Sequence, residues 1–210
     1  AMIGGTAISV LPKKEVIMPN YAKAGDIILL TKPLGTQVPV NLAQWCFEKN
    51  EKWQKSLEYI TEEEMWRAYG IGEKSMCKLN NNSATLMHKF RVGACTDVTG
   101  FGLKGHLENL AVAQKESLDF HITKMPIISK MDIIDKNVQN FKLRTGYSPE
   151  TSGGLMIIID KDDAEEYIKE MEKIGEKCWK IGFVTEGERK VSLENAEVVS
   201  VRSEEHTSEL

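Results

Sequence analysis

Residues 94–106, Ala-Cys-Thr-Asp-Val-Thr-Gly-Phe-Gly-Leu-Lys-Gly-His, constrain the fold most, because a strand, a glycine turn and a helix start must follow one another directly. Residues 94–98 read as a short strand with Asp97 at its end, and Gly100 and Gly102 free the backbone to turn sharply. Leu103, Leu107, Leu110 and Ala111 then recur at helical spacing, opposite Lys104, Glu108 and Gln114. Thr99 is the expected cap. A strand feeding a glycine turn and a helix N-terminus brings unpaired N–H groups and a positive dipole end beside Asp97, where phosphate and a bridging cation could be held together. The same residues also describe a plain strand-to-helix connection with a capping Asp. The G-F-G-x-x-G spacing is not a dinucleotide fingerprint, since no acidic residue lies on a following strand at the expected place.

A second glycine turn, Pro149-Glu-Thr-Ser-Gly-Gly154, enters the apolar run 155–159, and its hydroxyls and paired glycines suit a ligand rim. Around these two stretches the chain alternates strands and helices. Residues 27–31 form a fully apolar, buried strand, and 37–47 a helix with Pro39 in its first turn. Residues 48–61 are charged and only weakly patterned. Thr61-Glu-Glu-Glu64 is a capping-box start for a helix burying Met65, Trp66, Tyr69, Met76 and Leu79, with a kink expected at Gly70 and Gly72. Residues 83–90 make a short helical turn in which His88 packs partly buried, and 118–122 a strand that leaves His121 outward. Pro126 opens a helix whose face is Ile127, Ile128, Met131 and Ile134, and residues 137–147 form a loop in which Lys142 and Arg144 are solvated or face phosphate. Asp160 and Asp163 cap a helix that Gly175 ends, and 178–185 and 188–201 are closing strands. The expected fold is α/β (α+β), a layered mixed sheet with helices.

The domain organisation expected is a strand stub at 1–10 that belongs to a missing upstream domain, a connector at 11–24, one domain at 25–201 and an appended tail at 202–210. That tail resembles a translated sequencing adapter, so it and His206 are left out of the fold. At 210 residues, 41% hydrophobic and net charge −4, the chain can bury one core and gives no sign of a nucleic-acid partner. No apolar run approaches the ~20 residues of a membrane span. Cys46, Cys77, Cys95 and Cys178 form no C-x-x-C pair, which suits free thiols in a cytoplasmic protein, and Cys95 reads as a small core residue rather than a nucleophile.

Three ordered motifs, Thr31-Lys-Pro-Leu-Gly-Thr-Gln37, residues 94–102 with Gly105-His106, and Pro149-Glu-Thr-Ser-Gly-Gly-Leu155, closely resemble selenophosphate synthetase (selenide, water dikinase). The resemblance runs almost to Val201 and matches the carboxy-terminal domain of that family, in the aminoimidazole ribonucleotide synthetase-like superfamily. It implies ATP bound between two domains, with selenide converted to selenophosphate and AMP and phosphate released, in a homodimer. It also implies that the Cys or selenocysteine nucleophile, its neighbouring Lys and most magnesium carboxylates lie upstream, so no catalytic residue is assigned here. Asp97 matches the carboxylate with which this domain reaches Mg2+. Candidate nucleotide contacts are Thr96, Thr99, Gly100 and Gly102, together with Thr151, Ser152, Gly153 and Gly154. Gly93 departs from the polar or His residue the family often carries there. The alternatives are a purine-synthesis ATP-dependent ligase, which would lack the upstream nucleophile, and a non-catalytic paralogue acting in dimerisation or regulation.

Overall fold

The computed structural model describes Gly4, Thr6, Ile8, residues 10–193 and residues 195–202. Strands β1 (Ile27–Leu30), β2 (Val92–Asp97), β3 (Leu118–Ile122), β5 (Leu155–Ile159), β6 (Trp179–Glu186) and β7 (Val191–Ser192) form one sheet in the order β2-β5-β1-β6-β3-β7. Its pairs are antiparallel except β3 with β7, while β4 (Lys124–Ile128) and β8 (Glu197–Val201) make a separate parallel pair. The expected mixed sheet with helices is therefore present.

The central strands β1 and β5 read as unbroken apolar runs because helices cover both faces of the sheet. Ile28, Leu30, Met156 and Ile158 point into the larger core with Leu103, Leu107 and Leu110 of α5 (Gly102–Ala113). Ile27, Leu29, Ile157 and Ile159 point the other way, against Leu86 of α4 (Asn81–Met87) and Tyr167 and Met171 of α7 (Ala164–Lys173). Burying such side chains contributes about 1.5–3 kcal/mol each. The larger core extends to Val38 and Leu42 of α1 (Gln37–Glu48) and Met65 of α3 (Glu62–Cys77).

Several expectations need correction. The charged segment 48–61 contains α2 (Glu51–Ser56), started by the Asn50 side chain accepting from Trp53 N, with Trp53 and Ser56 buried. The capping box at Thr61 and Glu64 is present, but α3 runs without a break through Gly70 and Gly72; Trp66 on it is exposed, and Leu79 lies exposed beyond its end at Cys77. Gly72 lies over Pro39 of α1, where a methyl group would make an ordinary contact, so helix packing holds this segment despite its glycines. Pro126 stands inside β4, and the helix after it, α6 (Met131–Asn137), starts only beyond Lys130. A strand near a sheet edge tolerates Pro, and the apolar run 127–134 matched a helical face only by coincidence of spacing.

The helix expected at 83–90 begins earlier, at Asn81, and His88 is exposed. His121 lies on the face of β3 away from Leu118, Phe120 and Ile122, as expected, and there it is half-buried, bonded to Ser192 Oγ at 2.8 Å and Thr185 Oγ1 at 2.9 Å and stacked on Phe183. Asp163 precedes α7 but caps it with no side-chain bond, because its carboxylate is taken by Arg91 at 2.7 Å. Arg144 is paired with Asp132 at 2.7 Å. The closing segment 188–201 splits into β7 and β8. Of the strand expected at 4–10, alternate residues lie outside the described ones, and Gly4, Thr6, Ile8 and Val10 are exposed with no strand partner among the described residues. The tail at 203–210 lies outside the described residues.

Candidate functional site

β1 and β2 both run antiparallel to β5, so the ends of β1 and β2 and the start of β5 meet at one end of the sheet. This brings together the three sequence motifs. Asp97 pairs opposite Leu155, and Val98 N donates to Gly154 O at 2.9 Å, which zips the first glycine stretch to the second. Glu150 N donates to Thr99 O at 3.0 Å. Gly153 is needed here for close approach: a Cβ at this position would sit 1.8 Å from Val98 O, and at Gly154 2.5 Å from Lys32 N.

Glu150 and Lys32 lock the motif at 31–37 onto this junction. The Glu150 carboxylate, only 5% exposed, accepts from Gly35 N at 2.6 Å, Thr36 N at 3.0 Å and Thr36 Oγ1 at 2.5 Å. Burial pushes this carboxyl up to about 7, outweighing the three donors that favour its charged form. The Lys32 ammonium donates to Ser152 O at 2.7 Å and Lys78 O at 2.5 Å, and Asn80 Nδ2 donates to Gly153 O at 2.9 Å. Sequence reasoning quoted Lys32 and Glu150 as motif letters without assigning them a role. Their signal was a lone charge set between apolar strands and glycine turns, where a charge is buried only if it is bonded.

The candidate contacts fall into two groups. Asp97, Gly100, Thr151 and Ser152 are exposed at the rim, with Thr96 half-buried beside them. The Asp97 carboxylate takes no hydrogen bond or ion pair among the described residues, and a methyl group at Gly100 would meet nothing within 4 Å. Gly102, Gly153 and Gly154 are buried in the junction. Thr99 is absorbed by the protein: its carbonyl accepts from Gly102 N and Glu150 N, and its N–H donates to His106 Nε2 at 3.0 Å. It does not cap α5, whose preceding residue is Phe101 and which has no side-chain cap bond. The N–H of Lys104, in the first turn, is taken by Gly146 O, so that helix end is less open than its sequence implied.

His106 accepts at Nε2, which assigns its proton to Nδ1. Burial holds the imidazole below its ordinary value, the Asp97 carboxylate pulling the other way, so the neutral ring braces the turn behind Asp97. Burial, with help from Asp97, pushes the Cys95 thiol up to about 12, which removes it as a nucleophile at neutral pH. Gly93, the departure noted above, is where the connector enters: Tyr21 N donates to Gly93 O at 2.8 Å, and a Cβ would lie 2.6 Å from Tyr21 O.

An exposed carboxylate with both oxygens unclaimed fits a hard cation, and the neighbouring hydroxyls and open glycine backbone fit phosphate oxygens. Among the described residues no three His, Cys, Asp or Glu side chains gather as a metal site, so Asp97 would be one ligand of a set completed from elsewhere.

Comparison with known proteins agrees with this architecture. Curated relatives named selenide, water dikinase are 44% identical over 192 residues in Mus musculus, 43% over 188 in Drosophila melanogaster and 40% over 210 in Dictyostelium discoideum. Those alignments cover 90%, 88% and 95% of this chain but only 42%, 51% and 57% of the relatives, so the chain spans about half their length. Among solved structures, a thiamine-monophosphate kinase from Stenotrophomonas maltophilia shares the fold at TM-score 0.60 and 15% identity, over 92% of this chain and 56% of that one. The E. coli hydrogenase maturation protein HypE shares it at TM-score 0.57 and 16% identity, over 89% and 52%. Residues 23–194 match the family described as AIR synthase related protein, C-terminal domain, and on that match, which takes in all three motifs, the chain belongs to this family.

Proposed function

We propose that this chain is the carboxy-terminal part of an ATP- and magnesium-dependent selenophosphate synthetase, which converts selenide, ATP and water to selenophosphate, AMP and phosphate. The observation that carries the reading is the junction of three motifs around the unclaimed Asp97 carboxylate, in a chain whose relatives are named selenide, water dikinase. Asp97 would hold Mg2+, and the bound ion would offset the negative charge of the nucleotide phosphates. The exposed Thr151 and Ser152 hydroxyls and the open backbone at Gly100 would contact phosphate oxygens, with Thr96 at the same edge. Gly102, Gly153 and Gly154 serve by letting the two turns pack closely enough to place those groups. His106 and Thr99 hold the turn that presents Asp97.

The nucleophile, its Lys and the remaining carboxylates belong, on this reading, to an upstream domain that closes over the sheet end, in a cytoplasmic homodimer. Residues 1–10 would be that domain's last strand and 11–24 the connector. The test is to assay the longer protein carrying this chain for AMP and selenophosphate formation. Formation that requires both selenide and magnesium is expected, together with no activity from the 210-residue chain alone. ATP turnover indifferent to selenide would refute the assignment.

A further inference from the structure

Next to the Asp97 rim, at the β1 and β6 side of the same sheet end, lies a cavity of about 560 Å³ whose lining is markedly one-sided in charge. Among the described residues lining it, Lys32, Arg67, Lys74, Lys78, Lys177 and Arg202 are basic and none is acidic, although the whole chain carries a net −4; Arg67 is paired with Glu63 at 2.6 Å, and Arg202, expected to belong to the appended tail, lines the cavity instead. Clustering cations against the sign of the net charge concentrates a positive field in a concave wall.

The floor of the cavity is built rather than incidental. Lys32 is 3% exposed, and its ammonium gives two of its three N–H groups to Ser152 O and Lys78 O. The third has no acceptor among the described residues. The Lys78 ammonium faces the buried Glu176 carboxylate at 3.1 Å, and Lys74 makes no ion pair among the described residues. Of the three, only the Lys78 ammonium pairs with a carboxylate among the described residues. Burial and the neighbouring Lys78 charge hold Lys32 below its ordinary value, with the Glu176 carboxylate pulling the other way. Trp66 and Trp179 add flat apolar walls, and the volume is in the range of small-ligand pockets.

We infer that this cavity binds a phosphorylated small molecule, its phosphate against Lys32, Lys74 and Lys78 and any ring it carries against Trp66 and Trp179. Ammonium donors lining one cleft match the oxygens and charge of a phosphate group, whereas a neutral ligand would leave Lys32 and Lys74 without a counter-charge. The inference does not depend on the reaction proposed above, because none of these side chains belongs to the Asp97 rim. The two are nonetheless linked through Ser152, whose carbonyl holds Lys32 and whose side chain stands at that rim.

The test is calorimetric titration of the 210-residue chain with pyrophosphate, AMP and adenosine, at low ionic strength and without magnesium. Pyrophosphate and AMP should bind and adenosine should not. Tighter binding of AMP would place its ring on the tryptophans, and tighter binding of pyrophosphate would identify a free phosphate anion. Lys74→Glu, an exposed change on α3 that should leave the melting temperature in place, should weaken both at least about tenfold, whereas Asp97→Asn should not. The inference is overturned if adenosine binds as well as AMP, if pyrophosphate gives no heat, or if Lys74→Glu binds like the parent chain.

Discussion

Glu150→Gln tests whether the motif at 31–37 is truly locked to the glycine turns. The carboxylate takes Gly35 N on one oxygen and Thr36 N and Oγ1 on the other. An amide of the same shape can keep only one of those oxygens as an acceptor. If it keeps the one facing Gly35, the new NH2 group confronts Thr36 N–H; if it flips, Gly35 N–H is stranded. Either way one buried N–H loses its partner, at a cost of about 2 kcal/mol, which for a domain of this size lowers the melting temperature by roughly 4–8 °C.

Because burial raises the Glu150 carboxyl from 4.5 to about 7, the folded state holds its proton more tightly than the unfolded chain. The stability this provides is fully present below pH 4.5 and is lost as pH rises through about 7. The parent chain should therefore lose this contribution between those pH values, and Glu150→Gln should lack that part of the slope. The deficit of the variant is then larger near pH 5 than at pH 8. Thermal unfolding by circular dichroism at both pH values checks this. A change below 2 °C at both, or a deficit that grows with pH, would refute the reasoning.

Gly153→Ala should prevent folding or lower the melting temperature by more than about 10 °C, since its Cβ would press on the Val98 carbonyl, whereas Gly100→Ala, which meets nothing, should shift it by about 2 °C or less. Cys95, its thiol raised to about 12, should resist alkylation at pH 8 under conditions that fully modify the exposed Cys77, as read by mass spectrometry of the peptides; equal labelling would contradict the burial argument.

The strands at 27–30 and 155–159 were legible because apolar runs covered on both faces admit few other readings, and α5 and α7 because their apolar residues keep strict helical spacing. Pro126 misled because a proline before an apolar run looks the same at a helix start and in an edge strand, and only the pairing of β4 with β8 distinguishes them. α2 was invisible because six residues held by one Asn cap and one buried Trp make too short a pattern. At the site, Asp97 stood out as a lone carboxylate at a strand end. The bonds that hold it in place did not, since Glu150 to Thr36 and Lys32 to Ser152 join residues more than a hundred positions apart and depend on strand order.

The central claim is that Asp97 presents its carboxylate to magnesium rather than to the protein. Asp97→Asn in the longer protein carrying this chain removes one negative charge and almost no volume, and because the carboxylate takes no protein hydrogen bond among the described residues, the melting temperature should not move. AMP formation measured across a magnesium titration should fall by about 10²-fold at low magnesium, in the range for a lost electrostatic stabiliser, and recover in part as magnesium is raised. An unchanged rate at low magnesium would contradict the account and take Asp97 out of the site.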